Sequence, residues 1–393
     1  MTASRNTILA LGLMLLTSAA GKPALGASLL TGSGSSSDTI SSASSKTGSD
    51  ALCNSTGSSG CDAGCASTQV AGDTKFIDLE NEPLIRACRP YVQDFCEICQ
   101  GCTVKADASV LYMHRSSPGS RTLLLDPTTG GDLYDANRLD FLYAAGPRIS
   151  LTALDCEGWG LEVNYFGIDG WSATNDIPNT ALPSGTANLV VDNVTANQIS
   201  LTDAHFESIA RFYSTEINVR RPLFGNFSVL TGFRWLDMTD RYLASGTSAM
   251  GNPVSETIAT HNHMFGSQIG IDGTLAKEAN RWRINGFIKA GTFLNIANQA
   301  TSLSDPDIPG PGSPAVSNNN AGIAFFGETG VVGYFQITKH LSASGGYQVM
   351  FVNNVAQPAS QLGSTNLTIP FATVDTSSGL FYHGASAGLE VTW

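Results

Sequence analysis

The chain has 393 residues and a formal net charge of −12 at pH 7, with only 14% charged residues and 41 glycines. An apolar share of 42% argues against intrinsic disorder of the chain as a whole. Negative charge without a cluster of lysines or arginines excludes nucleic acid as an expected partner, because phosphate binding requires concentrated positive charge.

The N-terminal segment has the layout of a secretory signal peptide. Arg5 precedes an almost wholly apolar run from Ile8 to Leu16, and small residues follow it. This run is too short for a helix that spans a bilayer, and no run of eighteen apolar residues follows. The sequence therefore predicts a signal peptide over 1–26, with cleavage after Ala20 or Gly26, and an exported chain whose membrane insertion must use strands.

A segment rich in Ser, Gly and Thr, 27–75, comes next. The first aromatic residue of the chain is Phe76, so this segment has no large side chains to bury. Without that burial it cannot offset the entropy of ordering its backbone. We therefore expect a disordered linker over 27–75.

Most of the cysteines lie in the linker and in a short cysteine-rich segment, 76–105. In an exported protein such clustering predicts disulfides, although the pairing remains open. The candidate disulfide cysteines are Cys53, Cys61, Cys65, Cys88, Cys96, Cys99 and Cys102. The alternative is a metal or iron-sulfur site at the last three of them, but Ala106 stands where the fourth ferredoxin-like cysteine would be.

Beyond residue 105, apolar and polar residues alternate with a period of two, which is typical of β-strands with one apolar face. In the last segment, Phe381, Leu389 and Val391 alternate with small or polar residues. The pattern predicts ten strands, at 108–114, 143–155, 160–173, 205–220, 227–244, 259–276, 281–302, 320–338, 341–357 and 379–393.

The connections between these strands alternate in length. Short links at 156–158, 221–226, 277–280 and 339–340 alternate with long loops at 115–142, 174–204, 245–258, 303–319 and 358–378. An even strand count with short turns at one end is the signature of an outer-membrane barrel. We predict an all-β fold, a transmembrane antiparallel β-barrel over 106–393 with about ten strands, or alternatively eight or twelve.

The polar faces of these strands place charged residues inside the predicted barrel. They are Arg148, Glu162, Glu216, Arg220, Arg234, Arg283, Lys289, Glu328 and Glu390. In a barrel of about ten strands the lumen is narrow, so opposite charges should meet across it. Because an unpaired buried charge is costly, we expect a structural charge network. A narrow channel for small solutes is the alternative.

Several motifs in this region resemble the planctomycete outer-membrane barrel proteins. They are an aromatic early strand at 108–115, the entry Gly146-Pro147-Arg148, the hairpin Trp159-x-x-Glu162-x-x-Tyr165-Phe166-Gly167, the segments 214–221 and 232–236, and a C-terminal strand that ends in an aromatic residue. The resemblance covers roughly 105–393 and implies an outer-membrane location. It also implies that Trp393 presents the barrel to the outer-membrane assembly machinery. It implies no catalytic activity at particular positions.

Four polar residues near one loop are further candidates for chemistry. Asp237 and Asp240 lie towards the top of one predicted strand, and His261 and His263 lie at the start of the next. We expect them near the outer rim, where omptin proteases carry their acids and histidine, and the two histidines share a strand face as a metal pair would. Ordinary rim polarity is the simpler interpretation, since the sequence has no omptin motif, phosphate loop or nucleophile elbow.

We therefore predict a non-enzymatic outer-membrane barrel with a structural or surface-interaction role, without a cofactor. Membrane lipid is the expected environment, the long loops face outward, and both termini lie in the periplasm. The alternatives are a narrow passive channel, a soluble secreted β-sandwich and a rim-sited omptin-like hydrolase.

Overall fold

The computed structural model describes residues 102–155, 157–194, 198–277, 281–307 and 314–393. The predicted signal peptide, the linker and six of the seven candidate disulfide cysteines lie outside these residues. Cys102 directly precedes the first strand. The pairing of the cysteines therefore stays a prediction.

The described residues are dominated by strands. In chain order these are β1 (Thr103–Arg115), β2 (Thr122–Leu125), β3 (Asp132–Asp135), β4 (Ala144–Leu154), β5 (Gly160–Ile177), β6 (Ala187–Leu189), β7 (Ile199–Phe224), β8 (Phe227–Ser248), β9 (Pro253–Lys277), β10 (Trp282–Ser304), β11 (Ala315–Gln336), β12 (Leu341–Val355), β13 (Thr365–Asn366), β14 (Phe371–Ala372) and β15 (Ser378–Thr392).

Ten of these strands, β1, β4, β5, β7–β12 and β15, form a closed barrel. Each pairs antiparallel with its neighbours in this order, and β1 pairs with β15 to close the ring. The prediction of a ten-strand antiparallel barrel is confirmed, and the alternatives of eight or twelve strands are wrong. The barrel begins at Thr103, within the predicted cysteine-rich segment 76–105.

The outer face of the barrel carries an apolar belt. On β10 the outward residues from Trp282 to Ile296 are mainly large and apolar, and Ile288 is 59% exposed. At about 3.3 Å per residue and a tilt of ~45°, these fifteen residues span roughly 33 Å, close to the hydrocarbon thickness of a bilayer. Above them the same face bears Asn298, Ala300 and Ser302. The long strands therefore continue beyond the belt.

A single closed sheet explains why the belt needs no covering layer. In a soluble β-sandwich the apolar face of one sheet packs against a second sheet. Here the ring closes on itself, so that neighbouring strands hydrogen-bond each other's backbone N–H and C=O groups. The apolar side chains can therefore face lipid. Among the described residues, no helix has the length and apolar character that a membrane crossing requires.

The two ends of the barrel differ. At one end the strands are joined by short turns, such as the β7–β8 turn at Gly225, whose φ of +55° suits glycine. We call this the short-turn end and the opposite end the long-loop end. The long loop predicted at 245–258 is the exception at that end, because β8 ends at Ser248 and β9 begins at Pro253. At the long-loop end, β6 pairs with the start of β7, β2 pairs with β6, and β3 pairs with β2. The alternation pattern predicts loops at these positions, within 115–142 and 174–204.

Candidate functional site

The inner faces of the strands bring all nine sequence-predicted charges into salt bridges inside the lumen. Alternation of side chains along each strand directs them inward, because residues two apart share a face. They occupy the half of the lumen that lies towards the short-turn end. We call this set, with Asp272, the lumen charge network.

The centre of the network is Lys289 on β10. Its Nζ donates to Glu216 Oε1 at 2.5 Å and to Glu162 Oε1 at 3.1 Å. All three side chains are buried. Asn164 Nδ2 also donates to Glu216 Oε1, at 3.0 Å, which satisfies a further lone pair of that carboxylate. Lys289 therefore holds two carboxylates from β5 and β7 that would otherwise repel each other.

Arg234 on β8 forms the second centre. Its Nη1 lies 2.8 Å from Glu328 Oε2 and 3.4 Å from Glu216 Oε2, and its Nε donates to Ser214 Oγ at 2.8 Å. The guanidinium also lies 4.2 Å above the centre of the Phe326 ring. This cation–π contact joins the lumen charge network to an aromatic layer above it.

Asp272 is the member of the network that is not among the nine residues predicted from the sequence. Arg220 donates to both Asp272 and Glu162. The nine predicted residues comprise five bases and four acids, so Asp272 makes the charges equal. Counting by twos along β9 from the buried Gln268 reaches Asp272, and this periodicity is the signal that could have found it.

A small cavity near the short-turn end is lined by Arg148, Arg220 and Glu390 of the network. Arg283 Nη2 donates to Glu390 Oε1 at 2.8 Å, and Arg148 Nη1 donates to Gln348 Oε1 at 2.5 Å. The cavity has a volume of about 180 Å³ and also involves Lys105. Since it lies below the buried centre of the network, it is a polar recess in the barrel and ends at Lys289 and Glu162.

The part of the lumen directly above the network contains many buried apolar side chains. An aromatic layer consists of Phe166, Trp171, Phe212, Phe293, Phe326 and Tyr382. All six are at most 2% exposed. The Trp171 indole Nε1 donates to the carbonyl oxygen of Met113 at 2.8 Å, so its polar edge is satisfied within the core.

The long segment between β12 and β15 packs into the long-loop end. It contains the short helix α1 (Pro358–Gln361) and the β13–β14 hairpin. The Asn262 side chain bonds both the N–H and the carbonyl of Ala356, at 2.8 and 2.9 Å. Asp192 Oδ2 accepts from the N–H of Leu367 at 3.0 Å. This segment therefore occupies the long-loop end of the lumen, where polar side chains hold its backbone.

Asp240 does not lie at the rim, where the sequence pattern predicts it. Its carboxylate accepts from Arg115 Nη2 at 2.9 Å, and both side chains are buried inside the barrel. The Arg115 guanidinium also stacks on Phe141, 4.4 Å from the ring centre. The expectation was wrong because β8 continues to Ser248, which leaves Asp240 well inside the strand.

Asp237, His261 and His263 also lie away from the rim, on the outer wall of the barrel. Asp237 and His263 are cross-strand neighbours on β8 and β9. Asp237 Oδ2 is 2.7 Å from His263 Nδ1 and 3.0 Å from His261 Nε2. The expected grouping across a loop is corrected to a cluster on two adjacent strands, which faces away from the lumen. We call it the outer-wall cluster.

The C-terminal residue is part of the barrel wall. The Trp393 N–H donates to Val104 O at 2.9 Å, and the Val104 N–H donates to Trp393 O at 3.2 Å. These bonds continue the β1–β15 pairing that closes the ring. The role of Trp393 in assembly stays a prediction.

No family model and no curated protein matches the sequence. The outer membrane protease OmpT from Escherichia coli is similar in structure, with 12% identity, a TM-score of 0.45, and coverage of 74% of this chain and 97% of that one. The translocator domain of the autotransporter NalP from Neisseria meningitidis has 9% identity, a TM-score of 0.32, and coverage of 78% and 94%.

A FadL homologue from Pseudomonas aeruginosa has 9% identity, a TM-score of 0.24, and coverage of 74% of this chain and 89% of that one. Likenesses of this strength carry no information about activity. None of them bears on the resemblance to planctomycete barrels, which stays a prediction.

Proposed function

We propose that this chain is an outer-membrane barrel with a sealed lumen, and that its role is structural or in surface interaction, without catalysis. The observation that carries the proposal is the continuous filling of the lumen. Salt bridges centred on Lys289 occupy one half, and the other half holds the aromatic layer and the buried ion pair of Arg115 and Asp240. The apolar belt on the outer wall supports a membrane location.

The filled lumen argues against the passive channel that the charged faces alone would allow. Conduction requires a continuous water-filled path whose sites bind the permeating ion only weakly. Here the charges are engaged in short ion pairs, and the aromatic rings above them are buried. The polar recess of about 180 Å³ is lined in part by Lys289 and Glu162, which belong to this obstruction.

Electrical recording tests the proposal. Purified protein inserted into planar bilayers is expected to show no steady conductance steps, because neither half of the lumen leaves a continuous water path. A known porin in the same lipid serves as the positive control, and resistance to proteolysis verifies insertion of the test protein. Stable single-channel steps that change in size with Arg283→Ala would overturn the proposal in favour of a pore.

The proposal also assigns an orientation, in which the long loops face outward and the short turns face the periplasm. Both termini would then lie in the periplasm, because ten crossings return the chain to its starting side. The cysteine-rich segment would meet an oxidising compartment there. Trp393 would be available to the assembly machinery on the same side.

Epitope tags test this orientation across a single strand, β8. A tag inserted at Gly251, in the exposed loop after β8, is expected to bind antibody on intact cells. A tag at Gly225, in the turn before β8, is expected to bind antibody only after lysis. Labelling of Gly225 alone on intact cells would reverse the orientation, and labelling of both would mean that β8 does not cross the membrane.

A further inference from the structure

The outer-wall cluster brings three metal-ligating side chains together on two neighbouring strands. His261 and His263 lie two residues apart on β9, so both project from the same face, and Asp237 is opposite His263 on β8. The ligand atoms of the three side chains all lie within 4.8 Å of one another. The two imidazole rings are in contact, with centres 3.7 Å apart. The barrel wall therefore presents a preformed three-ligand constellation.

From this constellation we propose a binding site for a borderline divalent cation, Zn²⁺, on the outer wall of the barrel. Two imidazole nitrogens and one carboxylate oxygen form a donor set that suits zinc. In a tetrahedral site with bonds of about 2.0–2.1 Å, ligand atoms lie about 3.3 Å apart. Asp237 Oδ2 is 2.7 and 3.0 Å from the two histidine nitrogens, so small side-chain rotations would admit the ion.

The surroundings leave one coordination position open. The two histidine side chains are 34% and 36% exposed, whereas Asp237 is 13% exposed and anchors the cluster to the wall. Beside His261 lies an open groove of about 500 Å³, lined by polar and small residues that include Thr239, Asn298 and Asn318. Water or an external ligand can reach the fourth position through this groove.

The position along the barrel agrees with a solvent-accessible ion. On the belt side of the cluster, the next outward residue of β9 is Phe265, two residues from His263. The next outward residue of β8 on that side is Trp235, two residues from Asp237. Both aromatic residues mark the upper edge of the apolar belt. Beyond the cluster the outward residues are Thr239 and Ala259, outside the belt. The site is therefore separate from the lumen, and it does not depend on whether the barrel conducts.

Zinc titration of the full-length folded protein in detergent tests the site. The protein is purified without a polyhistidine tag, and its thiols are alkylated so that the eight cysteines cannot bind the metal. Competition with a chromophoric chelator is expected to show one equivalent of Zn²⁺ per chain. Asp237→Asn and His263→Ala are each expected to weaken binding at least tenfold, since even loss of a supporting residue weakens metal sites about 10–100-fold.

A matched control uses another histidine–carboxylate pair on the outer wall. His205 lies 2.5 Å from Asp176 but has no second imidazole beside that carboxylate. His205→Ala is expected to bind Zn²⁺ as the unsubstituted chain does. The electrophoretic shift between heated and unheated samples checks that each variant is folded, and Asp237→Asn conserves shape if an alanine variant fails to fold. Absence of binding, or equal binding by Asp237→Asn and the unsubstituted chain, would overturn the proposal.

Discussion

Substitution of Lys289 by Met is expected to lower the free energy of unfolding by about 3–5 kcal/mol, because it leaves buried carboxylates without their shared cation. Glu216 would lose its 2.5 Å contact and Glu162 its 3.1 Å contact. Methionine has a similar length, so lost volume contributes little to the change. Denaturant titration in lipid vesicles, read by the electrophoretic shift of unheated samples, measures the loss.

Two companion variants separate the charge effect from general damage. Lys277 is exposed at the end of β9, and Lys277→Met is expected to change stability by no more than about 0.5 kcal/mol. Adding Glu216→Gln to Lys289→Met removes one uncompensated charge and should recover part of the loss, as coupled residues in one network do. A double variant that loses the sum of the two single losses would show that Lys289 and Glu216 do not stabilise each other.

Substitution of Trp171 by Ala is expected to cost about 3–5 kcal/mol, the usual cost of deleting a large buried aromatic side chain. Trp171 is 1% exposed, lies 5.2 Å from the Tyr382 ring, and donates its indole N–H to Met113 O. Removal leaves a cavity in the aromatic layer and an unsatisfied carbonyl. The same denaturant titration measures the effect.

Trp282 provides the comparison because it lies on the opposite side of the wall. It is 54% exposed on the outer face of β10, near the short-turn end. Since lipid fills the space that its removal would leave, Trp282→Ala is expected to cost much less than Trp171→Ala. Equal losses for the two variants would contradict a packed apolar layer inside the lumen.

Local alternation in the sequence was sufficient to predict the barrel wall. Side chains alternate between the two faces of a strand, so the apolar residues of β10 and the charged residues between them are visible without knowledge of any partner. Closure could be predicted as well, because an even number of strands with one apolar outer face needs no second layer in lipid. Lys289 and Glu328 could therefore be assigned to the lumen from the sequence.

The tertiary structure decided which residues meet and what fills the upper lumen. Arg115 and Asp240 are 125 residues apart, and their pairing depends on how far β8 extends and on contacts across the barrel interior. Short strands such as β2 and β13 have two to four residues, which is too short to show a period. The sequence by itself determined the wall, because the face on which a side chain lies depends only on its position along its own strand, and lipid favours apolar residues on the outer face. Only tertiary structure could place the charge pairs, the aromatic layer and the outer-wall cluster, because strand register and packing join residues distant in the chain.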